Sequence, residues 1–127
     1  MLQGCSKRRP DIYFDLPTHA VVVEVDENQH IKYDDKCECA RINEIVNGIG
    51  GRPVIFIRYN PDKILNNGKK VIIPTIQRIN LLLEKVKDCI NQIPQKFEIK
   101  LIQLFYDDNN LEYSPIKEEI ITDIVSI

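Results

Sequence analysis

The stretch that most constrains this chain is His19-Ala20-Val21-Val22-Val23-Glu24-Val25-Asp26. Its valines are stiff about χ1 and pack well on a pleated surface, so they favour extended backbone. An almost unbroken apolar run of this length reads as a strand covered on both faces. Two acids interrupt it. Glu24 and Asp26 stand two residues apart, so on a strand their side chains leave the same face. Carboxylates placed together in an apolar setting repel each other and resist burial unless something neutralises them.

The flanking sequence turns this strand into part of a sheet. Ile12 to Leu16 reads as a short strand ending at the Pro17-Thr18 turn, so an antiparallel hairpin with His19–Val25 is the economical pairing. Asp34 to Val46 reads as a helix. Asp35 and Glu38 have capping-box spacing, and Gly48, Gly50 and Gly51 stop the segment. Pro53 to Ile57 is a further buried strand, followed by a surface loop over 63–70. From Thr75 to Ile93, the residues Ile79, Leu82, Leu83, Val86, Ile90 and Ile93 recur at helical spacing. Phe97 to Phe105 alternates as a strand. Ser114-Pro115 resembles an N-cap and first turn, with Ile116, Ile120, Ile121 and Ile124 on one side of a last helix.

The expected order is therefore β-β-α-β-α-β-α, an α/β fold with a mixed β-sheet flanked by helices. A length of 127 residues suits a single domain over 1–127. No apolar run approaches the roughly 18 residues that a membrane span needs, so no membrane partner is expected. Met1-Leu2-Gln3-Gly4-Cys5 lacks the apolar core of a secretory signal, which points to an intracellular setting. Cys5, Cys37, Cys39 and Cys89 show no paired zinc-type spacing and read as free thiols. A zinc site using Cys5 with Cys37 or Cys39 is the weaker alternative. The net charge of −2 excludes a generic polycationic coat for nucleic acid, but not a local phosphate-binding edge. Lys7-Arg8-Arg9 and Lys69-Lys70 are such edges.

Glu24 and Asp26 gain a third acid in Asp11, which opens the neighbouring strand of the hairpin just after Pro10. Oxygen-only donors of this kind suit Mg²⁺ or Mn²⁺ better than zinc. His30 follows Asp26 by four residues, and an imidazole there is suited to take a proton from an attacking water near neutral pH. Arg41 shares a helix face with Cys37, Glu44 and Ile45. There it pairs with a site carboxylate, grips a phosphate, or forms a plain salt bridge to Glu38 or Glu44. Arg8, Arg9, Gln29, Arg58 and Asn60 are the candidates for substrate contact. His19 has no such company and is expected at the surface.

Arg9-Pro10-Asp11, Val23-Glu24-Val25-Asp26-Glu27-Asn28-Gln29-His30, Tyr33, Cys37-Glu38, Arg41 and Phe56-Ile57-Arg58-Tyr59-Asn60-Pro61-Asp62 together resemble endonuclease-like proteins of giant DNA viruses. More broadly they resemble the very-short-patch-repair and EDxHD homing-endonuclease branch of the PD-(D/E)xK superfamily. The resemblance is close over residues 8 to 62 and rests on element order beyond. It implies a restriction-endonuclease-like sheet, a cytoplasmic, nuclear or viral-factory location, and Mg²⁺- or Mn²⁺-dependent hydrolysis of DNA. Asp11 matches the Pro-Asp acid, Glu24 the second acid, and His30 the water-activating histidine. Asp26 stands where the main superfamily has lysine. The helix that usually precedes the hairpin has no counterpart in the ten residues before Asp11: a later helix or a partner chain is expected to fill its place, or the chain is a piece of a larger nuclease.

The leading expectation is a metal-dependent endodeoxyribonuclease of nicking, repair or mobile-element type. Its rival is a catalytically inactive nucleic-acid-binding module with the same fold. A homodimer would suit cleavage of both strands.

Overall fold

The structure, a computed structural model, describes residues 11–27 and 35–121, with side chains 35–39 excepted. Its centre is a mixed five-stranded sheet in the order β1-β2-β3-β6-β7. Strand β1 (Ile12–Asp15) runs antiparallel to β2 (Ala20–Val25), joined by a turn in which the Leu16 N–H donates to the His19 carbonyl at 3.0 Å. Strand β3 (Val54–Tyr59) lies parallel to β2, and β6 (Ile99–Leu104) lies parallel to β3. Strand β7 (Ile116–Ile120) closes the far edge antiparallel to β6. Helix α1 (Asp35–Gly48) connects β2 to β3, and α2 (Thr75–Asn91) precedes β6.

The period-two alternation of the strands divides the core between two faces. Ala20, Val22, Val54, Phe56, Ile99 and Leu101 face α1, where Ile42 and Ile49 cover them. Val21, Val23, Ile55, Ile57, Ile102 and Leu104 face α2 and pack with Leu81, Leu82, Val86, Cys89 and Ile90. Cys89 is free and buried, and burial pushes its thiol above the ordinary range. Helix α1 stops where Gly50 and Gly51 take φ of 71° and 76°, with the Gly51 N–H bonded to the Val46 carbonyl. Among the described residues no helix is long and apolar enough to cross a membrane.

Four expectations are corrected. The last helix is strand β7 over its described part. Ile116 and Ile120 fit a strand face as well as a helix face, and their pairing with Leu104 and Lys100 satisfies the edge of β6. The Ser114 hydroxyl donates to the Ile116 carbonyl, so it caps no helix. The loop over 63–70 contains a hairpin, β4 (Ile64–Asn66) and β5 (Lys69–Val71). Asn67 and Gly68 turn it with φ of 54° and 77°, as an Asn-Gly hairpin requires.

Helix α2 is also rotated from the expected face. Leu82, Val86 and Ile90 point inward, but Ile79 and Leu83 are exposed while Arg78 and Cys89 are buried, and the helix ends at Asn91, before the exposed Ile93. Finally, His19 is fully buried. Its Nε2 lies 2.7 Å from the Cys89 carbonyl and its Nδ1 lies 2.7 Å from the Thr18 hydroxyl, so the ring staples the β1–β2 turn to α2.

Phe56 lies at 0% exposure on the central strand. Phe56→Ala is expected to cost about 4 kcal/mol through lost burial and the cavity left behind. Urea unfolding of the two proteins would check this; a loss below about 1 kcal/mol would contradict the α1-face core described above.

Candidate functional site

Three parallel strands, β2, β3 and β6, end together at one edge of the sheet. In open α/β sheets ligands bind outside the carboxyl ends of such strands, where loops diverge and backbone groups are free to serve a ligand. The acids gather at this edge. Glu24 lies opposite Arg58 in the β2–β3 register, and Arg58 lies opposite Gln103. Asp26 follows the end of β2, its N–H bonded to the Tyr59 carbonyl at 2.7 Å. One step beyond the Ile12–Val23 pair, the β1–β2 register brings Asp11 beside Glu24.

Glu24 is the most enclosed of the acids at 1% exposure. Arg41 of α1 forms an ion pair with its Oε2, and the Arg58 Nε donates to its Oε1 at 3.2 Å. Of the partners open to Arg41 from its helix face, it contacts Glu24 on the sheet. The charge of Glu24 is thus balanced by guanidinium groups from a helix and a strand.

Asp11 and Asp26 have different partners. The Asp11 Oδ2 accepts from the Val25 N–H at 2.6 Å, and its own N–H donates to the Val23 carbonyl at 3.1 Å. Asp26 is buried, and its Oδ2 accepts the hydroxyl of Tyr106. An amide and a phenol are neutral donors, and each orients the carboxylate it meets without adding charge of its own.

Behind the acids lies a lock between the ends of β3 and β6. Asn60 is fully buried, and its amide donates to the Phe105 carbonyl at 2.8 Å and accepts from the Asp62 N–H at 3.0 Å. That position shapes the loop and leaves Asn60 no surface for substrate contact. Arg78 reaches from α2 to the carbonyls of Asp62 (2.7 Å), Ile73 (3.0 Å) and Asn60 (3.3 Å), with its guanidinium 5.6 Å from the Phe105 ring centre. Phe105 itself has φ of 64°, a left-handed conformation costing a bulky residue on the order of 1–3 kcal/mol. Its N–H bonds the Pro115 carbonyl at 2.8 Å. The Tyr113 hydroxyl donates to the Tyr106 carbonyl at 2.9 Å, and burial pushes this phenol up to about 12.

Arg8, Arg9, Gln29 and His30 lie outside the described residues, as do Lys7, Tyr33, Cys5 and the side chains of Cys37 and Cys39. Tyr106, Arg78 and the packing role of Asn60 were not anticipated. Nothing in the local sequence singles them out, because each acts on a partner at least sixteen residues away in the chain.

The residues fit a divalent cation only in part. Among the described residues no group of three or more His, Cys, Asp or Glu side chains stands ready to hold a metal. Glu24, matched on both oxygens, does not suit the role as placed. Asp11 and Asp26 do by donor chemistry, since Mg²⁺ keeps several waters and is commonly held through one or two carboxylates. The chain matches no model of a known protein family, no curated protein sequence and no solved structure.

Two outcomes are expected. Glu24→Ala removes the carboxylate that both guanidiniums share and should lose about 3 kcal/mol of stability in urea unfolding. Replacing all three groups together, as Glu24→Leu with Arg41→Met and Arg58→Met, should recover most of that loss. A triple variant no more stable than Glu24→Ala would show that the charges are not acting on one another. The second outcome concerns pH. With the folded Tyr113 phenol at about 12 against an ordinary 10.0, the unfolded chain ionises first as pH rises. Stability from this group is complete below about pH 10 and is lost as pH rises towards about 12. The alkaline fall in urea midpoint should be shallower in Tyr113→Phe than in wild type.

Proposed function

We propose that the chain is a Mg²⁺- or Mn²⁺-dependent endonuclease that hydrolyses phosphodiester bonds in DNA. The observation supporting this most strongly is the meeting of Asp11, Glu24 and Asp26 with Arg41 and Arg58 at the carboxyl ends of parallel strands. Asp11 and Asp26 would hold the cation, which when bound supplies Lewis acidity towards the phosphodiester. Glu24 keeps Arg41 and Arg58 fixed at this edge, where a guanidinium suits the recognition of a phosphate. His30 is the proposed proton acceptor for the attacking water, with Arg8, Arg9 and Gln29 as proposed contacts to the DNA backbone. Cutting both strands would call for a homodimer.

A second function, nucleic-acid binding without cleavage, is favoured by one observation: Glu24 is already neutralised by arginine. Plasmid nicking separates the two. Mg²⁺- or Mn²⁺-dependent nicking is expected, reduced about 100-fold or more in Asp11→Ala, Asp26→Ala and His30→Ala. Binding without cleavage of duplex, single-stranded, mismatched and branched DNA with either metal would establish the second function instead.

A further inference from the structure

Helix α2 is apolar on two sides. Its inner side packs Leu82, Val86, Cys89 and Ile90 against the sheet. Its outer side carries Ile76, Ile79 and Leu83, spaced three and four residues apart, with Ile72 four residues ahead of Ile76. Ile72, Ile76, Ile79 and Leu83 are 79%, 65%, 39% and 54% exposed. On a helix that spacing draws one continuous stripe, the kind along which a second helix packs. Contiguous apolar patches of more than a few hundred Å² are uncommon on monomers and mark contact surfaces.

The charge pattern around the stripe selects its occupant. From Ile72 to Leu83 the exposed positions carry no charge: Thr75, Gln77 and Asn80 stand beside the isoleucines, and Arg78 is buried with its guanidinium on the carbonyls of Asn60 and Asp62. A contact in which a patch meets its own copy needs a centre without like charges, and this patch has one. Charge resumes at Glu84 and Lys87. Were two copies of α2 to pair in parallel, each of these residues would face itself. Antiparallel pairing moves them off the centre, sets Ile76 against Leu83 of the second copy, and lays the Lys87 stem along Ile72.

We propose that the outer side of α2 is the seam of a homodimer, in which two copies of the helix pack antiparallel across a two-fold axis near Ile79. Joining the two stripes buries on the order of 1,000 Å², the lower limit for a specific protein pair, so a dissociation constant on the order of micromolar is expected. The seam lies on the side of α2 turned away from the sheet, and the pairing does not depend on the endonuclease proposal.

Sedimentation equilibrium of the full chain between about 1 and 100 μM tests it. The wild type should pass from monomer to dimer across this range. Ile76→Lys sets an ammonium against Leu83 of the second copy, twice over, and should weaken dimerisation about 100-fold or more while the chain stays folded, because Ile76 is exposed in the single copy. Should that variant melt early, Leu83→Lys decides on the same criterion. The double variant Ile76→Lys with Leu83→Glu brings opposite charges together across the axis and should regain about tenfold of the loss. A wild type that stays monomeric at about 100 μM overturns the proposal, as does a dimer that the lysine variants leave intact. A double variant as weak as Ile76→Lys alone overturns the antiparallel pairing, and assembly beyond the dimer overturns its closed two-fold form.

Discussion

The ion pairs of Glu24 are the interaction on which the working edge of this protein depends. A carboxylate at 1% exposure among valines is untenable alone, since its desolvation costs several kcal/mol after all relaxation. Arg41 and Arg58 make it tenable, and in doing so they commit two elements. Arg41 pins α1 against β2, and Arg58 ties β3 to β2 beyond their backbone ladder. Buried ion pairs contribute less to net stability than apolar packing would. Their benefit here is positional: two guanidiniums are held where the parallel strands end.

The sheet edge has a second source of rigidity that owes nothing to charge pairing across β2. Asn60 and Arg78 between them serve the carbonyls of Asn60, Asp62, Lys63, Ile73 and Phe105. Buried carbonyls without donors would be costly, and loops diverging from parallel strands leave several of them. A buried amide and a buried guanidinium satisfy them from inside the protein, so the loops hold their shape without crowding the outer side of the edge. The left-handed Phe105 is stable only within this lock, which links the packing of α2 to the direction of Tyr106.

Much of the fold was legible in the residues because burial leaves a period. The valines of β2, the Val54–Ile57 run and the helical spacing of α1 were all read in place. Failures occurred where the period is ambiguous or where tertiary contact decides. Ile116 and Ile120 fit both a helix and a strand, and only the unpaired edge of β6 chose between them. In α2 the apolar residues extend round more of the helix than the sheet covers, so Arg78 and Cys89 went inward while Ile79 and Leu83 stayed out. His19 carried no local sign of its bond to the Cys89 carbonyl, seventy residues on.

At the site, the acids were legible and their partners mostly were not. Asp11, Glu24 and Asp26 declare themselves because carboxylates in or beside an apolar strand demand a cause, and Arg41 followed from its place on the helix face. The inferred cause was one cation shared by all three acids. The structure divides them instead: Glu24 is answered by arginines, Asp26 by a phenol and Asp11 by a backbone amide. This division separates two tasks that spacing alone merged. A carboxylate matched by guanidiniums holds positive charge in place, whereas a phenol or an amide orients a carboxylate without adding charge of its own.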